Sequence, residues 1–189
     1  MKNIKIIVLG DAHIPDRAWE IPSKLLEVIE NSKPYDLAIY TGDFTSEEIY
    51  NWFKSLGKKT YAVKGNMDYI ELPEYVVIKL NSIKVGVIHG DQVYPRGNIP
   101  KLSNIAHRLG VNVLLSGHTH KPFIKIYNEV LHINPGSITG VWSGSGSSFY
   151  PTYAMIEVSL PELTIKFKIL RDNEVKEKIF RINLLKSLK

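Results

Sequence analysis

Five short motifs bordered by glycine, each closing an apolar run, constrain this chain more than anything else in it: Gly10-Asp11-Ala12-His13, Gly42-Asp43, Gly65-Asn66, His89-Gly90 and Gly117-His118-Thr119-His120. An apolar run that stops at such a motif reads as a buried strand with a polar loop at its carboxyl end. In open α/β sheets, functional groups gather beyond those carboxyl ends, so residues far apart in sequence can share one cleft. The side chains so placed are Asp11, His13, Asp43, Asn66, His89, His118 and His120. They supply the oxygen and nitrogen donors that hold divalent metal ions.

The intervening sequence supports an α/β reading. Residues 4–10 form a continuous apolar run, the pattern of a central strand covered on both faces. Pro22 opens a helical pattern with Leu25, Leu26 and Ile29 on one face, and residues 37–40 predict a second strand. Thr45 with Glu48 reads as a capping box for a helix that buries Ile49, Trp52, Phe53 and Leu56. Gly57 is placed to end that helix in a left-handed conformation, and residues 60–63 predict a third strand. Residues 75–80 and 83–88, joined by Asn81-Ser82, predict a hairpin. A helix over 100–109, stopped by Gly110, then leads into a strand over 111–115. Residues 124–127, 130–133, 153–158, 163–170 and 176–182 predict five further strands, expected to form a second sheet. Residues 143–148 are all serine or glycine and are expected to form a mobile surface loop.

At 189 residues with 44% hydrophobic and 23% charged content, the chain suits one soluble domain spanning 1–189. The first apolar run is far shorter than the roughly 20 residues of a membrane span, and no cleavage-like pattern follows it. No membrane span and a cytoplasmic location are therefore expected. Zero cysteines exclude disulfides and thiolate zinc sites, so any metal is held by imidazole, carboxylate and amide groups. The net charge of +5 admits an anionic partner, but Ile165-Lys166-Phe167-Lys168-Ile169 alternates as the solvent face of a strand does. No basic cluster interleaved with stacking aromatics occurs, which argues against nucleic acid. Whether the chain is a monomer or a homo-oligomer stays open.

His107, on the predicted helix without a neighbouring partner, and His132, within an alternating strand, are set aside as structural. Asp-x-His and His-x-His differ from them, since side chains two apart share one side of an extended segment. The ordered set Asp-x-His, Gly-Asp, Gly-Asn, His and Gly-His-x-His, with Ile133-Asn134-Pro135-Gly136-Ser137, resembles the calcineurin-like metallophosphoesterases. That resemblance implies a four-layer α/β/β/α sandwich of two mixed sheets flanked by helices. It also implies that Asp11, His13 and His120 hold one metal, that Asn66, His89 and His118 hold the other, and that Asp43 bridges them. Asp43, Asn66 and His89 are then the residues assigned to catalysis as well. Two cations about 3.5–4 Å apart acidify a shared water, whose hydroxide attacks a small phosphoester in line with the leaving group. Mn²⁺ is the first choice, with Zn²⁺, Ni²⁺, Co²⁺ and Fe as alternatives.

One position departs from the family pattern. Its Gly-Asn-His-Asp/Glu is here Gly65-Asn66-Met67-Asp68, and a thioether cannot protonate a leaving alkoxide. The segments Leu9-Gly10-Asp11-Ala12-His13-Ile14-Pro15 and Ile88-His89-Gly90-Asp91-Gln92-Val93 are similar to the short, single-domain phosphodiesterase branch. That branch is related to the phosphoesterase-fold sorting subunit of retromer. It implies a phosphodiesterase, with a weakly catalytic or non-catalytic protein-interaction scaffold as the rival, and intact Asp43 and Asn66 favour the enzyme.

Overall fold

The computed structural model describes residues 3–144 and 148–187. The chain begins β1 (Ile4–Leu9), α1 (Ser23–Asn31), β2 (Tyr35–Tyr40), α2 (Glu47–Lys54) and β3 (Gly57–Ala62), with β1–β2 and β2–β3 both parallel. It continues through the antiparallel hairpin β4 (Tyr75–Leu80) and β5 (Ile83–Ile88), then α3 (Ile99–Leu109), β6 (Val113–Ser116), β7 (Phe123–Tyr127) and β8 (Val130–Asn134). It closes with β9 (Thr152–Ser159), β10 (Glu162–Arg171), β11 (Glu174–Asn183) and α4 (Leu184–Ser187). One sheet runs β11-β10-β9-β1-β2-β3 and the other β4-β5-β6-β8-β7. Both sheets are mixed.

The last third does not form a sheet of its own. β7 and β8 join the hairpin and β6, whereas β9 returns to pair antiparallel with β1. Hydrophobic period reports that a segment is a strand and says nothing of its partner. β1 is buried on both faces and has two edges to satisfy; β2 takes one and β9 the other.

Alternation along the strands builds the layers. Ile6, Val8, Leu37 and Ile39 point between the sheets and meet Val85, Val87, Val113 and Leu115. Ile7, Leu9, Ala38 and Tyr40 point the other way, onto Leu25 and Ile29 of α1 and Phe53 of α2. Leu102 and Ala106 of α3 cover the outer face of the second sheet at Ile88, Leu114 and Val130. Helix, sheet, sheet and helix therefore stack in that order. α1 has no side-chain cap and no acid in its first turn. The missing cap costs about 1 kcal/mol, whereas burying Leu25 and Ile29 contributes about 1.5–3 kcal/mol each, so packing decides that this segment is helical.

Two local expectations are corrected. α2 is capped by Ser46, whose Oγ accepts from Ile49 N at 3.3 Å, rather than by a Thr45–Glu48 box. Thr45 has a left-handed φ of 64° and donates its hydroxyl to the Ile14 carbonyl at 2.9 Å, tying α2 to the first loop. Gly57 does not terminate the helix: Ser55 does so in right-handed geometry, and Gly57 begins β3. A Cβ at Gly57 would fall 2.7 Å from Ala38 N, so glycine is needed there for strand approach. By contrast, α3 ends at Gly110 with φ 64°, the left-handed stop the sequence predicts.

The serine-glycine segment is also different from expectation at its start. Ser143 is fully buried and donates to the Thr119 carbonyl at 3.2 Å. Residues 145–147 lie outside the described residues.

Neither histidine set aside in the sequence joins the donor cluster, and His107, which is exposed, has a partner in Asn128 Nδ2 at 3.0 Å. His132 is fully buried in β8, with Nε2 2.7 Å from Ser103 Oγ of α3. Burial, and secondarily the charge of His107, holds its pKa down at about 4 from an ordinary 6.5. Between those values the unfolded chain binds the proton more readily than the folded one. The stability that neutral His132 contributes is therefore complete above about pH 6.5 and is lost as pH falls toward 4. Urea unfolding of wild type and His132→Gln should show the wild type losing up to about 1.4 kcal/mol more per pH unit across that window. A pH-independent difference between the two proteins would remove this assignment.

Candidate metal centre

All five motifs lie at the carboxyl ends of β1, β2, β3, β5 and β6, and the fold brings their side chains together. Donor atoms of Asp11, His13, Asp43 and His120 lie within 4.8 Å of one another, as do those of Asp43, His89 and His118. Asp43 belongs to both groups. Its Oδ2 is 3.2 Å from His13 Nε2 and 3.3 Å from His89 Nε2. Asn66 completes the second group, with Oδ1 3.1 Å from His89 Nε2. Six of these seven residues are buried and Asn66 is exposed.

The Asp-x-His and His-x-His pairs share a side, but not through extended backbone. Asp11, His13, Asp43, His118 and His120 all have left-handed φ, between 48° and 66°. Each such residue costs about 1–3 kcal/mol unless its surroundings hold it there, and such strain concentrates at functional sites. Hydrogen bonds hold these: Asp11 N donates to the Gly42 carbonyl at 3.0 Å, His13 N to the Asp43 carbonyl at 3.1 Å, and His118 N to both Asp11 carboxylate oxygens at 3.1 Å. Gly65 is obligatory for a related reason. A Cβ on it would sit 2.1 Å from Asp43 Oδ1, inside the carboxylate that joins the two groups.

A surrounding shell of acceptors fixes the imidazole tautomers. His89 Nδ1 faces the Thr41 carbonyl at 2.8 Å, and His120 Nδ1 faces the Val141 carbonyl at 2.8 Å. A carbonyl only accepts, so each Nδ1 carries a hydrogen, and Nε2 is the ring nitrogen left to face the cluster. There His120 Nε2 meets His13 Nε2 at 3.2 Å and Asp11 Oδ1 at 3.6 Å, while His118 Nδ1 lies 3.1 Å from His89 Nε2. Imidazole nitrogens and carboxylate oxygens converging in one buried place are a donor set that fits divalent cations.

The charges make the same point. Burial, reinforced by Asp43, pushes Asp11 up to about 8 despite the opposing pull of His89. Burial also works against ionised Asp43, but hydrogen bonds from His13 and His89 outweigh it and hold the carboxyl well below the usual range. His89, though buried, is raised to about 9 by the Asp43 carboxylate. Burial first, then neighbouring cations, lowers His118 to about 3 and His120 to about 4. Burial thus opposes a second carboxylate charge beside Asp43, as in a place whose negative groups need cations to offset them.

Other residues that build the site carry no role that the sequence assigns. Asp68 accepts four backbone N–H groups, from Asp43, Phe44, Thr45 and Gly65. Asn134 donates to the Gly117 carbonyl at 2.7 Å and to Thr119 Oγ1 at 3.1 Å, bracing the Gly-His-Thr-His turn. Ser137 Oγ donates to the Asp11 carbonyl at 2.7 Å. The signals are present, in Gly-Asn-Met-Asp and Asn-Pro-Gly-Ser, but these residues act on backbone, which spacing does not reveal.

Comparison with known proteins agrees with this geometry. A probable metallophosphoesterase of Methanocaldococcus jannaschii is 48% identical over 132 residues, covering 70% of this chain and 67% of that protein. Vacuolar Protein Sorting 29 from Cryptosporidium parvum superposes with a TM-score of 0.91 at 28% identity, covering 96% of this chain and 98% of that one. Wild-type Vps29 of Entamoeba histolytica complexed with Zn²⁺ superposes with a TM-score of 0.87 at 33% identity, covering 94% of this chain and 99% of that one. With residues 4–159 also matching the family model for the calcineurin-like phosphoesterase superfamily domain, the chain belongs to that superfamily.

Proposed function

We propose that this protein is a phosphodiesterase working with two divalent metal ions, Mn²⁺ first among the candidates. Asp11, His13 and His120 would hold one ion, Asn66, His89 and His118 the other, with Asp43 shared. The observation that carries this reading is the position of Asp43 Oδ2, 3.2 and 3.3 Å from imidazole nitrogens of both donor groups. When bound, such a pair of cations acidifies water and neutralises phosphate charge as phosphorus is attacked.

The chain's own residues define the rest. The Thr41 and Val141 carbonyls keep His89 and His120 in the tautomer whose Nε2 can ligate. Asn66 contributes a neutral oxygen, limiting the negative charge near an anionic substrate. Met67 stands where the family pattern has histidine and has no proton to give a leaving alkoxide. General-acid help is worth about 10²–10⁴-fold, so its absence favours esters whose leaving groups depart as stable anions. Metal-reconstituted protein should hydrolyse aryl phosphodiesters, lose that activity on chelation, and act on alkyl diesters at least about 10²-fold more slowly. Absence of metal-dependent turnover across aryl and alkyl diesters, cyclic nucleotides and monoesters would overturn the reading.

The close superposition on Vps29 favours a second reading, a scaffold for protein partners. It has a surface to use: a groove of about 420 Å³ lined by Ile83, Leu160, Pro161, Leu184 and Leu185. This groove lies at the opposite end of β5 from His89. A scaffold keeps its partner when Asp43 is replaced, whereas a catalyst loses its turnover.

A further inference from the structure

Two guanidinium groups border the histidine cluster, and neither makes an ion pair among the described residues. Arg17 stands on the His120 side. Its backbone N–H donates to the His13 carbonyl at 2.8 Å, and its Nη1 donates to the Trp142 carbonyl at 2.9 Å. Arg96 stands on the other side, where its Nη1 donates to the His118 carbonyl at 3.2 Å. Its Nη2 lies 3.1 Å from where a Cβ on Gly144 would be, so glycine leaves that slot open. Each guanidinium has five N–H donors and, among the described residues, commits one of its nitrogens to a carbonyl, which leaves further donors for an anion.

Trp142 adjoins this edge. Val141 N donates to Ser137 Oγ at 3.3 Å, the Val141 carbonyl accepts from His120, and buried Ser143 donates to the Thr119 carbonyl at 3.2 Å. The backbone is thus pinned on both sides of Trp142, while its side chain is left 56% exposed with the Arg17 guanidinium 5.7 Å from the ring centre. A lone exposed aromatic is ordinary on a protein surface. An indole on a pinned segment beside the Arg17 guanidinium, with the Arg96 guanidinium on the His118 side of the same cluster, is a recognition surface.

Building on the phosphoesterase reading, we propose that Arg17 and Arg96 bind substrate phosphate oxygens and that Trp142 stacks on a planar aromatic group carried by that phosphate. The substrate class is then an aryl or nucleoside phosphoester rather than an aliphatic one. Guanidinium matches phosphate through paired donors, and an aromatic face accepts any aromatic ring.

Calorimetric binding to metal-loaded protein tests this without turnover, using inorganic phosphate, methylphosphonate, phenylphosphonate and thymidine 5′-monophosphate as probes. Arg17→Gln and Arg96→Gln should each weaken all four about tenfold with metal content unchanged. Wild type should prefer phenylphosphonate to methylphosphonate; Trp142→Ala should abolish that preference, about tenfold, and Trp142→Phe should restore it. A matching Trp142→Ala loss for thymidine monophosphate assigns a nucleobase, and its restriction to phenylphosphonate assigns a simple aryl ester. Wild-type phosphate affinity in both arginine variants, or equal wild-type affinity for the two phosphonates, overturns the proposal. Binding as described without hydrolysis of any ester would sink the phosphoesterase reading and leave this surface standing. Hydrolysis that ignores both arginines would do the reverse.

Discussion

Asp43→Ala is expected to lower bound divalent metal from two ions per chain to at most one, and to reduce kcat on an aryl phosphodiester by about 10³-fold or more. Asp43 is the side chain common to both donor groups, so its removal damages each at once. In the metal-free protein it also removes the carboxylate that raises the pKa of His89 against its burial. Loss of that carboxylate moves His89 toward the neutral form that burial favours. Alanine has a second effect, since Asp43 Oδ1 accepts from the part-buried Met67 N at 2.8 Å and losing that hydrogen bond costs about 1 kcal/mol. Asp43→Asn separates the two effects: the amide keeps an acceptor for Met67 and nearly the same volume, but lacks the charge. If charge bridging is the role, the Asp43→Asn protein folds as the wild type does and still loses metal and rate. Metal analysis by plasma mass spectrometry alongside steady-state kinetics decides this, and two retained ions with undiminished rate in that amide variant would end the shared-ligand assignment.

The clustering of the candidate donors is readable because each sits where an apolar run stops at a glycine, so strand period and turn chemistry agree on position. What cannot be read is anything set by partners across the fold. The run that forms β9 shows alternation, but its pairing with β1 depends on an edge that β2 leaves open. Thr45 has the spacing of a cap because it precedes Glu48 by three residues. The chain there is already in a left-handed turn tied to Ile14, and the cap passes to Ser46. The same blindness affects backbone shape at the metal centre. Period-two reasoning places Asp11 with His13 and His118 with His120 on common sides, which is where they are, through left-handed residues rather than extended ones. The right neighbours come from the wrong geometry, since local turns held by contacts across the fold, not a strand's alternation, bring these side chains together. Ser143 departs from expectation for a simpler reason: composition marks a segment as polar and flexible, but a hydroxyl that finds the Thr119 carbonyl can be buried.

Asp68 is the residue whose importance is most hidden in the sequence, and its replacement should be the most damaging to the fold. Its Oδ1 accepts from Phe44 N at 2.7 Å and Thr45 N at 3.0 Å, and its Oδ2 from Asp43 N and Gly65 N, both at 2.8 Å. One buried carboxylate therefore clamps the loop after β2 to the loop after β3 and sets the backbone that carries Asp43. Asp68→Ala leaves four donors without their acceptor, for a loss of about 3–5 kcal/mol once water and relaxation recover part of the deficit. For a chain of this size that corresponds to a fall in Tm of about 10 °C. Asp68→Asn is the sharper test. Its shape is nearly unchanged, but the amide turns an NH₂ group toward two N–H donors whichever way it is flipped, replacing two attractions with donor–donor repulsion. The asparagine variant should therefore be nearly as unstable as the alanine variant, and both should bind metal poorly, although Asp68 touches none of the ligating atoms. Calorimetric melting of the metal-free proteins isolates the structural effect, and metal titration of the same samples gives its consequence at the site. An Asp68→Asn protein that melts with the wild type would show that the four N–H groups find other acceptors, and that the clamp is not what positions Asp43.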